Sequence, residues 1–246
     1  MATLFISDLH LCAARPATHR LLYDFLAGPA RQAQALYILG DLFEYWAGDD
    51  DLADPFNREV CQHLARVSEA GVRLYFMAGN RDFLAGPGFA AATGATLLAD
   101  PTLATIEGRA TLLMHGDTLC TDDLAYQAYR HTVRDAAWQQ AFLAKPLSER
   151  KAIIVGLRER SESAKRDKPA AIMDVNVEAV AQALRHHGYP LLIHGHTHRP
   201  ARHEHLVDGR RCQRWVLPDW HDAGGALLVT ADAVRPMPVP GRAPRD

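Results

Sequence analysis

The sequence predicts an α/β fold, and two observations carry that reading. Short apolar runs alternate with segments of helical spacing through the first third of the chain. Five of the apolar runs end on Asp, Asn or His, four of them beside a glycine, as they would if the chemistry lay at the carboxyl ends of strands in an open α/β sheet.

Thr3 to Ser7 (TLFIS) reads as a buried strand. From about Thr18 to Gln34 the spacing is helical, with Leu21, Leu22, Phe25 and Leu26 on one face. Ala35 to Leu39 is a second strand. A helix from about Pro55 to Ala70 ends at Gly71, and Val72 to Met77 is a third strand. This order implies a parallel core sheet with helices on both faces. Leu103–Ile106 and Ala110–Met114, split by Glu107-Gly108-Arg109, read as a hairpin. Residues 123–168 carry no strand signal and read as a helical insertion, dividing the core into 1–122 and 169–246. Val175 to His187 is a helix closed by Gly188. Leu191–Ile193 and segments near 202–206, 213–217 and 226–230 are strands, and the proline-rich tail from Arg235 is expected to fray.

Composition removes several classes. Among 246 residues, 48% are hydrophobic and 23% charged, which excludes a disordered chain, a collagen and a coiled coil. The net charge of −2 argues against a grip on nucleic acid through bulk positive charge. Cys12, Cys61, Cys120 and Cys212 form no C-x-x-C pair, so they read as reduced thiols of a cytosolic protein. The N-terminus has no signal-peptide pattern, and no run is long and apolar enough to span a membrane.

The strand ends supply Asp8-Leu9-His10, Gly40-Asp41, Gly79-Asn80-Arg81-Asp82, His115-Gly116-Asp117 and His194-Gly195-His196-Thr197-His198. In an extended segment, side chains at i and i+2 point the same way, so Asp8 and His10 aim at one point. A lone D-x-H is an ordinary polar strand end, and a lone G-D is weaker still. Three alternating imidazoles serve no structural purpose as readily, and the joint occurrence of all five motifs selects a metal site. The candidate ligands are Asp8, His10, Asp41, Asn80, His115, His196 and His198. Imidazole and oxygen donors without thiolate suit Mn²⁺, Fe or Zn²⁺. Seven ligands exceed the need of one ion, and Asp41 is the carboxylate placed to bridge two. Two ions about 3.5–4 Å apart clamp an in-line attack on phosphorus. His194 is left with a supporting role.

The series SDLH, GDLFEYW, GNRD, HGD and HGHTH resembles the calcineurin-like metallophosphoesterase superfamily. Within it, YILGDLF, GNRDFL, MHGDTLCTDD, AIMDVN and IHGHTHRP look like the family of UDP-2,3-diacylglucosamine diphosphatases of the Gram-negative lipid A pathway, over nearly the whole chain. The resemblance implies a two-layer β-sandwich flanked by helices, with a helical cap at 123–168. It also implies two Mn²⁺, held by Asp8, His10, Asp41 and His198 and by Asp41, Asn80, His115 and His196. Cleavage at the α-phosphorus by a metal-activated water would give UMP and 2,3-diacylglucosamine 1-phosphate. Asp41 and Arg81 take catalytic roles, and substrate contacts carry over to Asn80, Arg81, Asp123, Ser161, Lys168 and His196. The chain departs from the pattern at Lys165, where some members have Asn, which still falls at a substrate-binding position, and at Pro218, where Gly is expected. The implied setting is a monomer peripheral on the cytoplasmic face of the inner membrane, with an acylated nucleotide-sugar substrate and no nucleic acid.

Arg81 stands where many phosphoesterases of the superfamily have a proton-donating histidine. Arginine is a poor general acid and a good phosphate fork. Such a site suits a leaving group that needs no proton, as a phosphate leaving a diphosphate does. Residues 135–168 combine Trp138, Phe142, Leu143, Leu147, Ile153, Ile154 and Leu157 with Arg150, Lys151, Arg158, Arg160, Lys165, Arg166 and Lys168. That mixture suits an acylated anionic substrate at a membrane surface, or equally a helical pair packed on the main domain. Phe43, Tyr45 and Trp46 are either acyl-pocket wall or ordinary core. Two competing classes are a nucleotide-directed phosphodiesterase or nuclease of the same fold, and a non-catalytic scaffold. The scaffold predicts missing ligands, and the sequence lacks none of the seven.

Overall fold

In the computed structural model, residues 2–166, 174–221 and 223–239 are described, with side chains of 159–166 excepted. The first sheet contains β1 (Thr3–Ile6), β2 (Ala35–Leu39), β3 (Arg73–Met77) and β4 (Thr96–Leu98), joined by α1 (Pro16–Ala27), α2 (Pro55–Glu69) and α3 (Pro87–Thr93). These four strands run parallel, and β10 (Gly224–Val229) and β11 (Val234–Val239) extend the sheet antiparallel in the order β11-β10-β1-β2-β3-β4. The second sheet has the order β5-β6-β7-β9-β8, from β5 (Thr102–Ile106), β6 (Arg109–Met114), β7 (Leu191–His194), β8 (Ala201–Val207) and β9 (Arg210–Val216).

Period-2 alternation sorts the apolar strands into layers. Leu4, Ile6, Leu36, Ile38, Leu74 and Phe76 pack with α1–α3. Their neighbours Phe5, Ala35, Tyr37, Leu39 and Met77 face Leu113, Ile193, Trp215 and Leu217 of the second sheet and the segment after it. The outer face of that sheet is covered by α7 (Val177–His186) through Val180 and Leu184. The expectation of helices on both faces of the parallel sheet is therefore corrected: one face carries helices and the other a second sheet. Continuous apolar runs report burial on both sides without saying what does the burying.

Two further expectations change. The helix predicted to reach Gln34 ends at Ala27, because Gly28-Pro29 breaks it and a short 3₁₀ turn, Pro29–Gln32, follows. Of the tail expected to fray from Arg235, the residues up to Val239 instead belong to β11, at a sheet edge where Pro236 and Pro238 are tolerated, and 240–246 lie outside the described residues.

Between β6 and α7 the chain forms α4 (Leu124–Arg134), α5 (Ala136–Leu143) and α6 (Leu147–Arg166). Phe142 is buried in the helix-side core of the first sheet, and Trp138, Ile153 and Ile154 pack against it. Cations of α6 turn to the core as well. Arg150 is 2% exposed and bonds Asp50 and the Ala47 carbonyl, while Lys151 Nζ lies 2.6 Å from Asp51. Phe43 and Trp46 are ordinary core, each meeting Phe89 edge-on. Among the described residues no helix is long and apolar enough to cross a membrane.

Candidate metal centre

All seven predicted ligands meet at the carboxyl ends of β1, β2, β3, β6 and β7. Ligand atoms of Asp8, His10 and His198 form one group within 4.8 Å of one another, and those of Asp41, His115 and His196 form a second. Asn80 belongs with the second, its Oδ1 lying 3.0 Å from His115 Nε2 and 2.9 Å from His196 Nδ1. Asp41 stands between the groups. Its Oδ2 is 3.8 Å from His10 Nε2 and its Oδ1 is 3.8 Å from His115 Nε2.

Backbone strain makes this convergence possible. Asp8, His10, Asp41, His196 and His198 all have positive φ, between 48° and 68°. Non-glycine residues there cost free energy and concentrate at functional sites. The loops are stitched together: Asp8 N–H donates to the Gly40 carbonyl, His10 N–H to that of Asp41, and Gly195 N–H to that of His115. A Cβ on Gly79 would collide with the Asp41 carboxylate, and one on Gly195 with Asp8 and Ser7. Both glycines thus admit the carboxylates.

The carboxylate and imidazole atoms are oriented from behind. Ser7 Oγ and the His196 N–H both donate to Asp8 Oδ2, leaving Oδ1 buried with no hydrogen bond. His115 Nδ1–H donates to the Leu39 carbonyl at 2.9 Å, which turns Nε2 toward the centre as the nitrogen free to ligate. Asp219 Oδ2 lies 3.4 Å from His198 Nδ1 and does the same for that ring. His10 Nε2 and His198 Nε2 then face one another at 3.2 Å.

Charge in the centre is unbalanced. Burial raises the Asp41 carboxyl to about 7, helped by Asp82 and Asp8 and opposed by His115. Burial alone would lower His115 and His198, but Asp41, Asp117 and Asp8 lift the first to about 9, and Asp219 with Asp8 lifts the second to about 10. His10 and His196 are pushed down to about 3 by burial. Buried carboxylates that draw protons onto the imidazoles beside them are what divalent cations would satisfy instead. With the orphaned Asp8 oxygen and the mixed N/O donor set, the residues fit two divalent cations.

His194 is held apart, donating from Nδ1 to the Gly195 carbonyl and accepting from Arg214 at Nε2. Asp123 caps α4 by accepting from the Tyr126 N–H. Ser161 and Lys165 lie on α6 with side chains outside the described ones, and Lys168 lies outside the described residues altogether.

Sequence reasoning missed four carboxylates. Buried Asp82 accepts from the main-chain N–H groups of Gly79 (2.8 Å) and Leu42 (2.7 Å), tying the loops after β2 and β3. Asp117 receives Tyr126 Oη at 2.7 Å and Arg130 Nε at 2.8 Å, fixing α4 behind the second group. Asp219 orients His198, and Glu44 gathers Arg15, Arg81 and Arg158. Each lies inside or beside a motif already visible (GNRD, HGD, LPDWH, GDLFEYW), and an acidic residue trailing a ligand was the available signal.

Comparisons with known proteins agree with this geometry. The chain is 60% identical over 222 residues to a UDP-2,3-diacylglucosamine hydrolase of Aromatoleum aromaticum, covering 90% of each. It is 52% identical over 234 residues to a UDP-2,3-diacylglucosamine hydrolase of Escherichia coli O81, covering 95% of this chain and 97% of the relative. In fold it resembles a dimetal phosphatase from Danio rerio, with a TM-score of 0.52 at 13% identity, over 98% of this chain and 99% of that one. The profile described as calcineurin-like phosphoesterase matches residues 1–200, and the chain belongs to that family.

Proposed function

We propose that this protein hydrolyses the diphosphate of UDP-2,3-diacylglucosamine at the α-phosphorus, giving UMP and 2,3-diacylglucosamine 1-phosphate. The observation that carries the reading is Asp41, whose two oxygens face two separate ligand groups. The names of the relatives supply the substrate. Two Mn²⁺ are the proposed cofactors, and bound there they supply Lewis-acid charge and a water made acidic enough to attack at neutral pH.

The chain's own residues do the rest. Water adds to the α-phosphorus while the bond from that phosphorus to the bridging oxygen breaks, and the sugar 1-phosphate leaves with the bonding pair. Asn80, His196 and Arg81 face the phosphates, and Arg81 donates to oxygens whose charge grows in the transition state. The leaving phosphate needs no proton, so no general acid is required at residue 81. Asp123, Ser161, Lys165 and Lys168 contact the polar head of the substrate. Residues 123–168 act as a cap that admits the acyl chains. The protein works as a monomer, peripheral on the cytoplasmic face of the inner membrane, and takes no nucleic acid.

The test is incubation of the purified protein with UDP-2,3-diacylglucosamine and Mn²⁺, followed by mass spectrometry. UMP and the diacylated sugar phosphate are expected. Water labelled with ¹⁸O should place its oxygen on UMP; label on the sugar phosphate would overturn attack at the α-phosphorus, and absence of UMP would overturn the substrate.

A further inference from the structure

Glu44 lies just past β2 and is 5% exposed. Three guanidinium groups from three different segments converge on it. Arg158 Nη2 of α6 is 2.7 Å from Oε1, Arg81 Nη1 from the loop after β3 is 3.7 Å from the same oxygen, and Arg15 Nη2 from the start of α1 is 3.5 Å from Oε2. One buried carboxylate therefore holds three cations, leaving two positive charges in excess beside the metal centre. Arg81 adjoins that centre directly, since it follows Asn80 in the loop after β3 and its main chain is bonded to Asp41.

The three grips differ in kind. Arg158 is close enough for a charge-assisted hydrogen bond, whereas Arg81 is held at ion-pair distance only, so its donors remain available to an anion. Its main chain is fixed separately: the Arg81 N–H donates to Asp41 Oδ1 at 2.8 Å, and its carbonyl accepts from Trp46 N–H at 3.2 Å. With the backbone fixed, the direction of the side chain is set by Glu44. Without that carboxylate, Arg15, Arg81 and Arg158 would repel one another and Arg81 would swing away from its neighbours.

We infer that Glu44 is a positioning residue, which aims the Arg81 guanidinium at the diphosphate and ties that aim to the seating of α6 through Arg158. The inference rests on the proposed diphosphate reading. Glu44 touches neither substrate nor metal; it acts through Arg81.

The test is a double-variant cycle of Glu44→Gln and Arg81→Ala in the Mn²⁺-loaded protein, on UDP-2,3-diacylglucosamine and in parallel on bis(4-nitrophenyl) phosphate. Misaiming a catalytic group costs roughly 10- to 100-fold in rate. Glu44→Gln should lose that in kcat with metal content retained. Its KM should stay level or fall, because removing a negative charge does not weaken anion binding. The double variant should be no slower than Arg81→Ala alone. Unchanged kcat in Glu44→Gln, or losses that multiply in the double variant, would overturn the inference. Should Glu44→Gln lose its cooperative melt, the same cycle is read with Glu44→Asp, which keeps the charge one methylene further back, and multiplying losses there overturn it equally. If the nucleotide lipid is inert while the aryl diester is cleaved, the substrate reading fails and the cycle on the diester still decides Glu44.

Discussion

The main-chain N–H of Arg81 donates to Oδ1 of Asp41 at 2.8 Å, so the carboxylate between the two ligand groups also anchors the residue proposed to stabilise the transition state. Removing Asp41 therefore strikes both metals and the arginine. Asp41→Ala should lower turnover by more than about 10²-fold and leave less bound metal than Asn80→Ala, since Asn80 serves one group only. Elemental analysis after loading with Mn²⁺ and desalting is the measurement. One ion per wild-type chain, or near-normal turnover in Asp41→Ala, would refute the shared-carboxylate reading.

Arg81 itself should separate from the metals. Loss of one charged or oriented donor at a developing oxyanion typically costs about 10²–10³ in kcat. Arg81→Ala should show that loss at full metal occupancy. Arg81→His should not restore the rate, because the proposed leaving group needs no proton. A histidine variant as fast as wild type would end the leaving-group argument.

Asp82 offers no atom to substrate or metal and still supports the centre, accepting the Asp41 main-chain N–H at 3.3 Å. Asp82→Ala strands the buried N–H groups of Gly79 and Leu42, each worth about 1–3 kcal/mol when left unsatisfied. Denaturant melts should shift by roughly 2–6 kcal/mol, and Mn²⁺ affinity by about 10–100-fold. A variant with wild-type stability and metal affinity would show that the loops after β2 and β3 need no tie.

Asp100 gives a pH signature away from the ligands. Burial raises its carboxyl to about 6, with Asp117 adding to the effect and His115 and Arg130 opposing it. The folded state thus binds a proton that the unfolded chain has released by about pH 4, so stability falls as pH rises from about 4 to 6 and is level above. The shift of about two units corresponds to something on the order of 3 kcal/mol. Asp100→Asn should flatten that part of the stability curve and should be the more stable protein at pH 8. An unaltered slope between pH 4 and 6 would remove Asp100 as its source.

The ligands were legible because Asp, Asn or His recurs after five separate strands, four of them beside a glycine that marks the turn. Their geometry was not, since it depends on positive φ at Asp8, His10, Asp41, His196 and His198, and a sequence carries no sign of dihedral strain at non-glycine positions. The helix face of Leu21, Leu22, Phe25 and Leu26 was read correctly because periodicity reports burial directly. The second sheet behind Phe5 and Tyr37 was not readable from their pattern, because a buried strand looks alike under helices or under strands. Arg150, Lys151 and Arg158 looked like a basic surface and turned out to hold α6 to Asp50, Asp51 and Glu44. Charge runs disclose sign, and their partners lie about a hundred positions away in sequence.

The helices between β6 and α7 also bear on the acyl chains. Trp138, Phe142, Ile153 and Ile154 are committed to packing on the core, yet Leu143 and Val155 remain 41% and 45% exposed and Leu124 77%. Apolar side chains left uncovered on the helices between β6 and α7 offer an acyl chain surface to cover. Burying one chain methylene contributes about 0.8 kcal/mol, so even four buried methylenes would favour an acylated substrate by more than about 10²-fold. The comparison is kcat/KM for UDP-2,3-diacylglucosamine against UDP-N-acetylglucosamine, at the same Mn²⁺ concentration and below the critical micelle concentration of the lipid. The acylated substrate should win by at least that factor, mostly through KM. Leu143→Asp and Val155→Asp should narrow the gap while leaving hydrolysis of bis(4-nitrophenyl) phosphate intact. Equal kcat/KM for the two nucleotide sugars would mean that residues 123–168 serve packing alone, and the substrate would have to be sought among unacylated phosphoesters.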